Sequence, residues 1–247
     1  MQSSNPVLTR GRGFAAMNPN NTDSLEAAYA APSAGGVSTG RMTIEDVVMR
    51  TGMLFVVLVA VGSVAYGANN GGLAAIGIFG GFILAMVNSF KKTVSPALVL
   101  AYAAFEGLAL GGISRYYNDI YPGIVSQAVL GTLCAFGGIL LAYRSGKIRV
   151  TPKFTRVMIG ALIGYMVFGL ITLFTGFPGG STGTLIAVAG VALATFFLVL
   201  DFDQIEKTIA AGAPRNESWR CAFGLMVTLV WLYLEVLRLI SILRNND

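Results

Sequence analysis

The chain alternates between long apolar runs and short polar or glycine-rich links. Seven runs have the length of about 20 apolar residues that a membrane-spanning helix needs. They cover approximately residues 44–66, 72–90, 95–114, 124–143, 157–174, 184–200 and 219–243. This pattern predicts an all-α polytopic membrane protein with seven transmembrane helices over residues 43–247. Thr43 and Asp46 have the spacing of a capping box, which marks the start of the first helix.

The last run differs from the others because it contains an acid, Glu235, and a base, Arg238. A charge at membrane depth costs about 2.5 to 3.5 kcal/mol on insertion scales, and it is kept mainly where it faces a partner or a wet cavity. Thr228, Trp231, Glu235 and Arg238 share one face of the helix at offsets of three, four and seven residues. The polar stripe therefore predicts that protein surrounds the last helix.

The amino-acid composition excludes several classes of metal site and catalytic site. The chain is 55% hydrophobic and only 12% charged, against about 25% charged in soluble domains. It has no histidine, which excludes histidine-ligated metals and serine-histidine triads. Cys134 and Cys221 fall in separate apolar runs without metal-like spacing, and we interpret them as buried small residues. No His-Glu-x-x-His element is present. Residues 36–40 and 179–183 fit the Gly-x-Ser-x-Gly spacing, but a chain without histidine cannot complete a serine-histidine triad, so we expect no enzyme and no cofactor.

The basic residues predict the orientation. Residues 1–42 are rich in Ser, Asn, Gly, Pro and Ala and lack an apolar signal segment, so we interpret them as a mobile cytoplasmic tail. With the N-terminus inside, fourteen of the seventeen Lys and Arg residues fall on the cytoplasmic side. This favours seven spans with the C-terminus outside. A re-entrant last helix with both ends inside is the alternative. Because the bases lie in short loops, we expect no nucleic-acid partner.

Three carboxylates are candidates for the interior of the bundle. Asp201 ends the sixth run and continues into an uncharged polar stripe, whereas Asp203 faces Lys207 four residues on and reads as a solvated charge. Glu106 lies about 13 Å below Arg115, and Glu235 lies about 12 Å below Leu243, by the helical rise. These depths place Glu106 and Glu235 within reach of each other, with Asp201 nearer the opposite mouth. The structural alternatives are hydrogen bonds of Glu235 with Arg238 and of Glu106 with Tyr102.

Such acids are coupled titrating groups. Burial and a neighbouring carboxylate both favour the protonated form of a carboxyl group. Ionised carboxylates are ligands for a hard cation such as calcium, and protonation removes that capacity. The residues therefore support a pH-gated cation pathway.

Several short motifs together resemble the Bax inhibitor-1/YccA membrane proteins, in particular their bacterial branch. They are Asp201-x-x-x-Ile205, the Tyr-Leu-acid sequence ending at Glu235, the opening Asn5-Pro6, and the run 94–112 with Ala101-Tyr102 and Glu106-Gly107. The resemblance implies six helices packed around a central C-terminal helix. It also implies a pH-sensitive calcium leak in the plasma (inner) membrane, governed by two hydrogen-bonded acids that correspond here to Asp201 and Glu235. Helical register nevertheless sets Glu235 higher than Asp201.

Two functional hypotheses follow. The leading one is a leak channel for calcium or another cation, with Asp201 and Glu235 as pH sensor, gate and calcium ligands. Glu106, Thr228 and Arg238 then line the ion pathway, and the lipid bilayer and the calcium ion are the partners. The alternative is a regulatory membrane protein that binds a membrane protease or another partner through its tail and loops, without conducting ions.

Overall fold

A computed structural model describes residues 40–146 and 148–245, and within these ranges the chain forms seven long helices. We number them in chain order: α1 Ile44–Ala68, α2 Gly71–Phe90, α3 Pro96–Ile120, α4 Ile124–Arg144, α5 Pro152–Thr175, α6 Gly180–Ala210 and α7 Ser218–Asn245, the last preceded by a 3-10 turn at Arg215–Glu217. All seven are long and apolar enough to cross a membrane. The prediction of an all-α protein with seven spans is confirmed. The predicted tail, residues 1–42, lies outside the described residues except for 40–42.

Several helices extend beyond the apolar runs that predicted them. The predicted third run stops at residue 114, but α3 continues to Ile120, and Arg115 pairs with Asp119 across one turn at 2.9 Å. Likewise α5 begins at Pro152, capped by the Thr151 side chain, and α6 begins at Gly180. Hydropathy detects only the apolar part of a helix, whereas backbone hydrogen bonding continues into polar turns. The predicted capping box of Thr43 and Asp46 is present.

The last helix lies at the centre of the bundle. It packs against α1, α3, α4 and α6, while α2 packs on α3 and α5 packs on α6. In the apolar window of the last span, 56% of the residues are buried, against 6% for α5. One core cluster joins α1, α3 and α7, and a second joins α4, α6 and α7. The central position that the polar stripe predicted is confirmed.

Small residues allow α3 to approach its neighbours closely. A side chain at Gly107 or Gly111 would collide with the backbone of α1 at Leu58 and Gly62. Glycines at these positions therefore allow the close backbone approach typical of membrane helices. Gly160 and Gly164 in α5 have the same four-residue spacing, but there is open space around both of them.

The helix α7 crosses the bundle completely. We call the end at which α1 begins the first end, and the opposite one the second end. Just before α7 begins, Arg215 pairs with Asp46 in the first turn of α1 at 2.7 Å. Near its other terminus, Arg244 donates to the Pro122 carbonyl and the Gln127 side chain, both at 2.9 Å, where α4 begins. The two termini of α7 thus lie at opposite ends of the helix bundle, which favours a seventh span over the re-entrant alternative.

A short segment before α1 is tied to the link between α6 and α7. The Arg215 amide donates to the Gly40 carbonyl at 2.7 Å, and the Met42 amide donates to the Ala213 carbonyl at 2.9 Å. Met42 is buried, and Asp46 accepts from Arg215 while only 7% exposed. We call this set of contacts the first-end clip. Residues 40–42, which the sequence assigned to the tail, thus belong to the folded part of the chain.

We expect Asp46→Asn to lower the free energy of unfolding by about 1 to 2 kcal/mol, because the exchange removes one charge from a half-exposed ion pair. Unfolding of the purified protein in detergent, followed by circular dichroism, measures this loss. Lys207→Gln is the matched control, since it breaks the Lys207 to Asp203 pair of similar geometry, in which the lysine is 63% exposed. Equal stability of Asp46→Asn and Lys207→Gln would contradict a stabilising role for the clip.

Candidate functional site

The carboxylate of Glu235 is buried and accepts three hydrogen bonds. Its Oε1 accepts from the Trp231 indole at 3.0 Å and from the Tyr165 hydroxyl at 2.8 Å. Its Oε2 accepts from the Arg238 guanidinium at 2.6 Å. Trp231 and Arg238 lie one helical turn before and after Glu235, as the stripe predicted, and Tyr165 reaches in from α5. The predicted structural pairing of Glu235 with Arg238 is present.

The approach of α6 to this group depends on Gly190. A side chain at that position would overlap both the Glu235 carboxylate and the Tyr165 hydroxyl. Gly190 is itself buried. The carboxylate therefore lies where α5, α6 and α7 meet, and only a residue without a side chain fits there.

The charge of Arg238 is matched within the same cluster. Its guanidinium binds Glu235 and the Tyr165 hydroxyl, and it lies 4.4 Å from the centroid of the Phe177 ring. Its Nε is buried and has no hydrogen-bond partner among residues 40–146 and 148–245. Because the acid and the base neutralise each other, the cluster carries no net charge. We call Glu235, Arg238, Tyr165 and Trp231 the α7 charge cluster.

Asp201 has a different environment, in α6 and closer to the first end. Its neighbour across the interface is the hydroxyl of Thr228 on α7, which is 7% exposed. The Asp201 Oδ2 atom is buried and has no hydrogen-bond partner within the part of the chain that the structure describes. A carboxyl oxygen that has no hydrogen-bond partner can exchange a proton or accept a cation. Among the described residues, no basic side chain is bound to the Asp201 Oδ2 atom.

The two acids that the family resemblance pairs lie at different levels. Glu235 meets α6 at Gly190, which is eleven positions before Asp201, or about 16 Å along the helix. Asp201 meets α7 at Thr228, which is seven positions before Glu235, or about 10 Å. The structure thus places Thr228 opposite Asp201. Glu235 lies above Asp201, as the helical register indicated, and the two carboxylates are not brought together.

Glu106 lies on another interface of the bundle. Its carboxyl group faces Gly81 of α2 and interacts with the Tyr102 hydroxyl one turn earlier, as the structural alternative predicted. The ring of Tyr102 packs 4.9 Å from that of Phe223, which fixes the level of this part of α3 beside α7. Glu106 is therefore near the level of Asp201, on the opposite side of α7.

The expectation that Glu106 and Glu235 meet is wrong. Near the second end, Ser114 and Tyr233 share a hydrogen bond of 2.7 Å, so Glu235 is level with residues beyond Ser114 and well above Glu106. The apolar run ends just before Arg115, so the expected depth of Glu106 takes Arg115 as the end of the helix. Since α3 extends to Ile120, Glu106 lies about 8 Å deeper than expected.

No group of three or more Asp, Glu, Cys or His side chains is placed to hold a metal ion within residues 40–146 and 148–245. Calcium takes six to eight oxygen ligands in a stable site. Because Asp201 and Glu235 lie at different levels of the α6 and α7 interface, the joint calcium site predicted for them is not assembled in this structure.

Two residues that shape this site were not found from the sequence, namely Tyr165 of the α7 charge cluster and Gly190, which faces the cluster from α6. A signal for Tyr165 existed, because it is the only tyrosine in α5, whose interior is otherwise apolar apart from Thr172. Gly190 carried no such signal among 31 glycines. Only the packing of α6 on α7 distinguishes it from the rest.

We expect Glu235→Gln to lower the free energy of unfolding by about 2 to 3 kcal/mol, because it leaves the partly buried Arg238 without its counter-charge. The double variant Glu235→Gln, Arg238→Gln removes both charges and is expected to recover part of this loss. Denaturant unfolding in detergent measures both. A double variant less stable than the single one would contradict mutual neutralisation as the function of the pair.

Tyr165→Phe removes one hydroxyl that donates to Glu235 and accepts from Arg238. We expect a loss of about 1 to 2 kcal/mol in the free energy of unfolding, since a buried hydrogen bond to a charged group is broken. The control is Tyr116→Phe at a position that is 65% exposed, where no change is expected. Equal stability of the two variants in the same assay would show that α5 is held by other contacts.

The comparisons with known proteins agree with this architecture. The chain is 26% identical to an uncharacterized protein of Chlamydia muridarum (strain MoPn / Nigg) over 130 residues, which is 51% of this chain and 54% of that relative. The match thus spans about half the length of the relative. The sequence model described as Bax inhibitor 1 like matches residues 5–245, nearly the whole chain. This multi-pass membrane protein therefore belongs to the Bax inhibitor 1 like family.

Proposed function

We propose that this protein is a pH-sensitive leak pathway for calcium or another cation, in which Asp201 is the titrating group of the gate. The observation that carries the proposal is the buried Oδ2 of Asp201, which has no hydrogen-bond partner among the described residues. Proton exchange at that oxygen changes the charge of the interface between α6 and α7 without breaking an existing ion pair. Membership of the Bax inhibitor 1 like family supports the proposal. The sequence motifs shared with that family include the acid at the end of the sixth span, which is Asp201 here.

The three intramembrane acids have different roles in this proposal. Glu235 is held by Arg238, Tyr165 and Trp231, so it fixes the position of α7 and does not bind the ion. Asp201 faces Thr228, whose hydroxyl is a neutral oxygen ligand for a passing cation. Glu106, which the sequence assigned to the ion pathway, lies near the same level but between α2 and α3, so it does not line the interface beside Asp201. The pathway therefore starts at the first end, beside Asp201.

The ionised and protonated forms of Asp201 act differently on a cation. The carboxylate attracts a hydrated divalent ion to the α6 and α7 interface, whereas the neutral acid offers only a weak dipole. A change in the proton occupancy of one side chain is thereby converted into a change in conductance. The fixed charge pair above it keeps α7 in register while this happens.

The placement of basic residues supports an orientation with the N-terminus in the cytoplasm. Basic residues at the first end are Arg50, Lys91, Lys92, Arg149 and Arg215, whereas Arg115, Arg238 and Arg244 lie toward the second end. Basic loops are retained on the cytoplasmic side during insertion. We place the protein in the plasma (inner) membrane with its C-terminus outside.

A second candidate function is regulation of a membrane partner such as a protease, and the first-end clip favours it. Residues 40–42 bind the link that connects α6 with α7. A partner that binds residues 1–39 could therefore act, through residues 40–42, on the link between α6 and α7, which connects Asp201 with Thr228. Removal of residues 1–39 separates the two functions, since a leak formed by the helices persists without them.

Calcium entry into liposomes tests the leak directly. We expect the flux of the wild-type protein to depend on pH between 6 and 8, and the flux of Asp201→Asn to be independent of pH, because the amide does not titrate. Asp203→Asn is the matched control, two positions away and paired with Lys207 at the surface, and it is expected to behave like the wild type.

Two outcomes would contradict the proposal. Flux no greater than that of empty liposomes at every pH would favour the regulatory function. A pH dependence that survives in Asp201→Asn would place the titrating group elsewhere. Circular dichroism of each reconstituted variant establishes that the helices remain folded.

A further inference from the structure

A groove of about 760 Å³ lies between α1 and α4, with α3 and α7 as its floor. Its walls are apolar along most of their length. Phe55 and Val59 on α1 are each 45% exposed, and Leu133 on α4 is 51% exposed. Since all of these positions lie in membrane-spanning helices, the groove opens sideways toward the lipid.

The groove has the dimensions of an extended hydrocarbon chain. It follows α1 from Thr51 to Tyr66, fifteen positions that span about 22 Å, within a hydrocarbon layer of about 30 Å. Water fills a cavity only where polar groups can bind it, and this lining is almost entirely apolar. The occupant must therefore be long, thin and apolar.

A chain in the groove makes more contacts than one on the outer face of the bundle. The two walls and the floor surround it on three sides, so that dispersion contacts form with α1, α4 and the helices beneath. A lipid beside α5 touches a convex surface, where side chains such as Ile163 and Leu170 are more than half exposed. The difference favours a retained lipid over an exchanging one.

The second end of the groove carries positive charge. The Arg115 guanidinium lies 5.4 Å from the centroid of the Tyr66 ring, which lines the groove there. Arg244 is bound to Pro122 and Gln127, beside Val125 at the start of α4. Asp119 neutralises one of these two bases. The remaining positive charge, together with the N-terminus of α4, is complementary to a phosphate group.

We propose that this groove is a binding site for one glycerophospholipid of the bilayer, with an acyl chain between α1 and α4 and its phosphate at Arg115 and Arg244. The lipid fills a space that no side chain of the described chain occupies. The site is separate from Asp201 and does not depend on the proposed leak.

Photo-crosslinking of the full chain tests the position of the acyl chain. The probe is a phosphatidylglycerol with a diazirine in the middle of one chain, reconstituted with the protein in liposomes, and the labelled peptides are identified by mass spectrometry. We expect strong labelling of α1 and α4 and weak labelling of α5. Val59→Trp fills the groove and should remove most of the labelling, while Ile163→Trp on α5 should leave it unchanged.

Native mass spectrometry tests the headgroup. We expect Arg115→Gln with Arg244→Gln to weaken retention of the phospholipid about tenfold, the usual effect of losing a charge-assisted hydrogen bond. Lys92→Gln, at the first end, is the control and should retain the lipid. Circular dichroism verifies the fold of each variant.

Three results would overturn the proposal. The first is equal labelling of α5 and of the groove walls, which would indicate ordinary boundary lipid. The second is unchanged retention of the phospholipid after loss of both arginines. The third is cross-linking of α1 or α4 to another copy of the chain in place of the lipid, which would make the groove an interface between subunits.

Discussion

The structure depends on the neutralisation of one buried acid and one base within the central helix. Glu235 and Arg238 cannot face lipid singly, because each charge costs about 2.5 to 3.5 kcal/mol at membrane depth. Their pairing, together with donors from Trp231 and Tyr165, removes most of this cost. The requirement reaches beyond α7. It fixes α6 through Gly190 and gives the peripheral helix α5, which is otherwise little buried, a polar attachment to the bundle.

Two acids in the same membrane protein differ here in what surrounds them. Glu235 receives three hydrogen bonds, whereas the Oδ2 of Asp201 receives none among the described residues. A carboxylate held by three hydrogen bonds stabilises a fold, because moving it breaks several contacts at once. One with a free oxygen responds to its surroundings at small structural cost. The number of partners, more than depth, separates a structural acid from a candidate functional one.

Much of the fold could be predicted because the lipid imposes strict length and polarity requirements on each span. The stripe through Glu235 also predicted the central helix, since a charged face needs protein around it. What failed were distances between helices. The depth of Glu106 depended on where α3 ends, and polar turns such as Arg115 to Ile120 are invisible to hydropathy. Which residue of α7 faces Asp201 depends on the axial position of α6 relative to α7. That position is established by packing and by the link between the two helices, and no local sequence pattern reports it. Gly190 and the first-end clip involve residues far apart in the chain and had no local signal.

The position of the charge cluster in the chain has a consequence for biosynthesis. Because α7 follows the other six helices in the sequence, the ribosome delivers the span that contains Glu235 and Arg238 after its neighbours have been made. Tyr165 and Gly190 have then already entered the membrane. The helix that carries a buried acid and a partly buried base in its apolar part thus arrives when its docking partners are present, and its insertion is also its final assembly step. A translocon that released the earlier helices too soon would leave α7 without its docking partners.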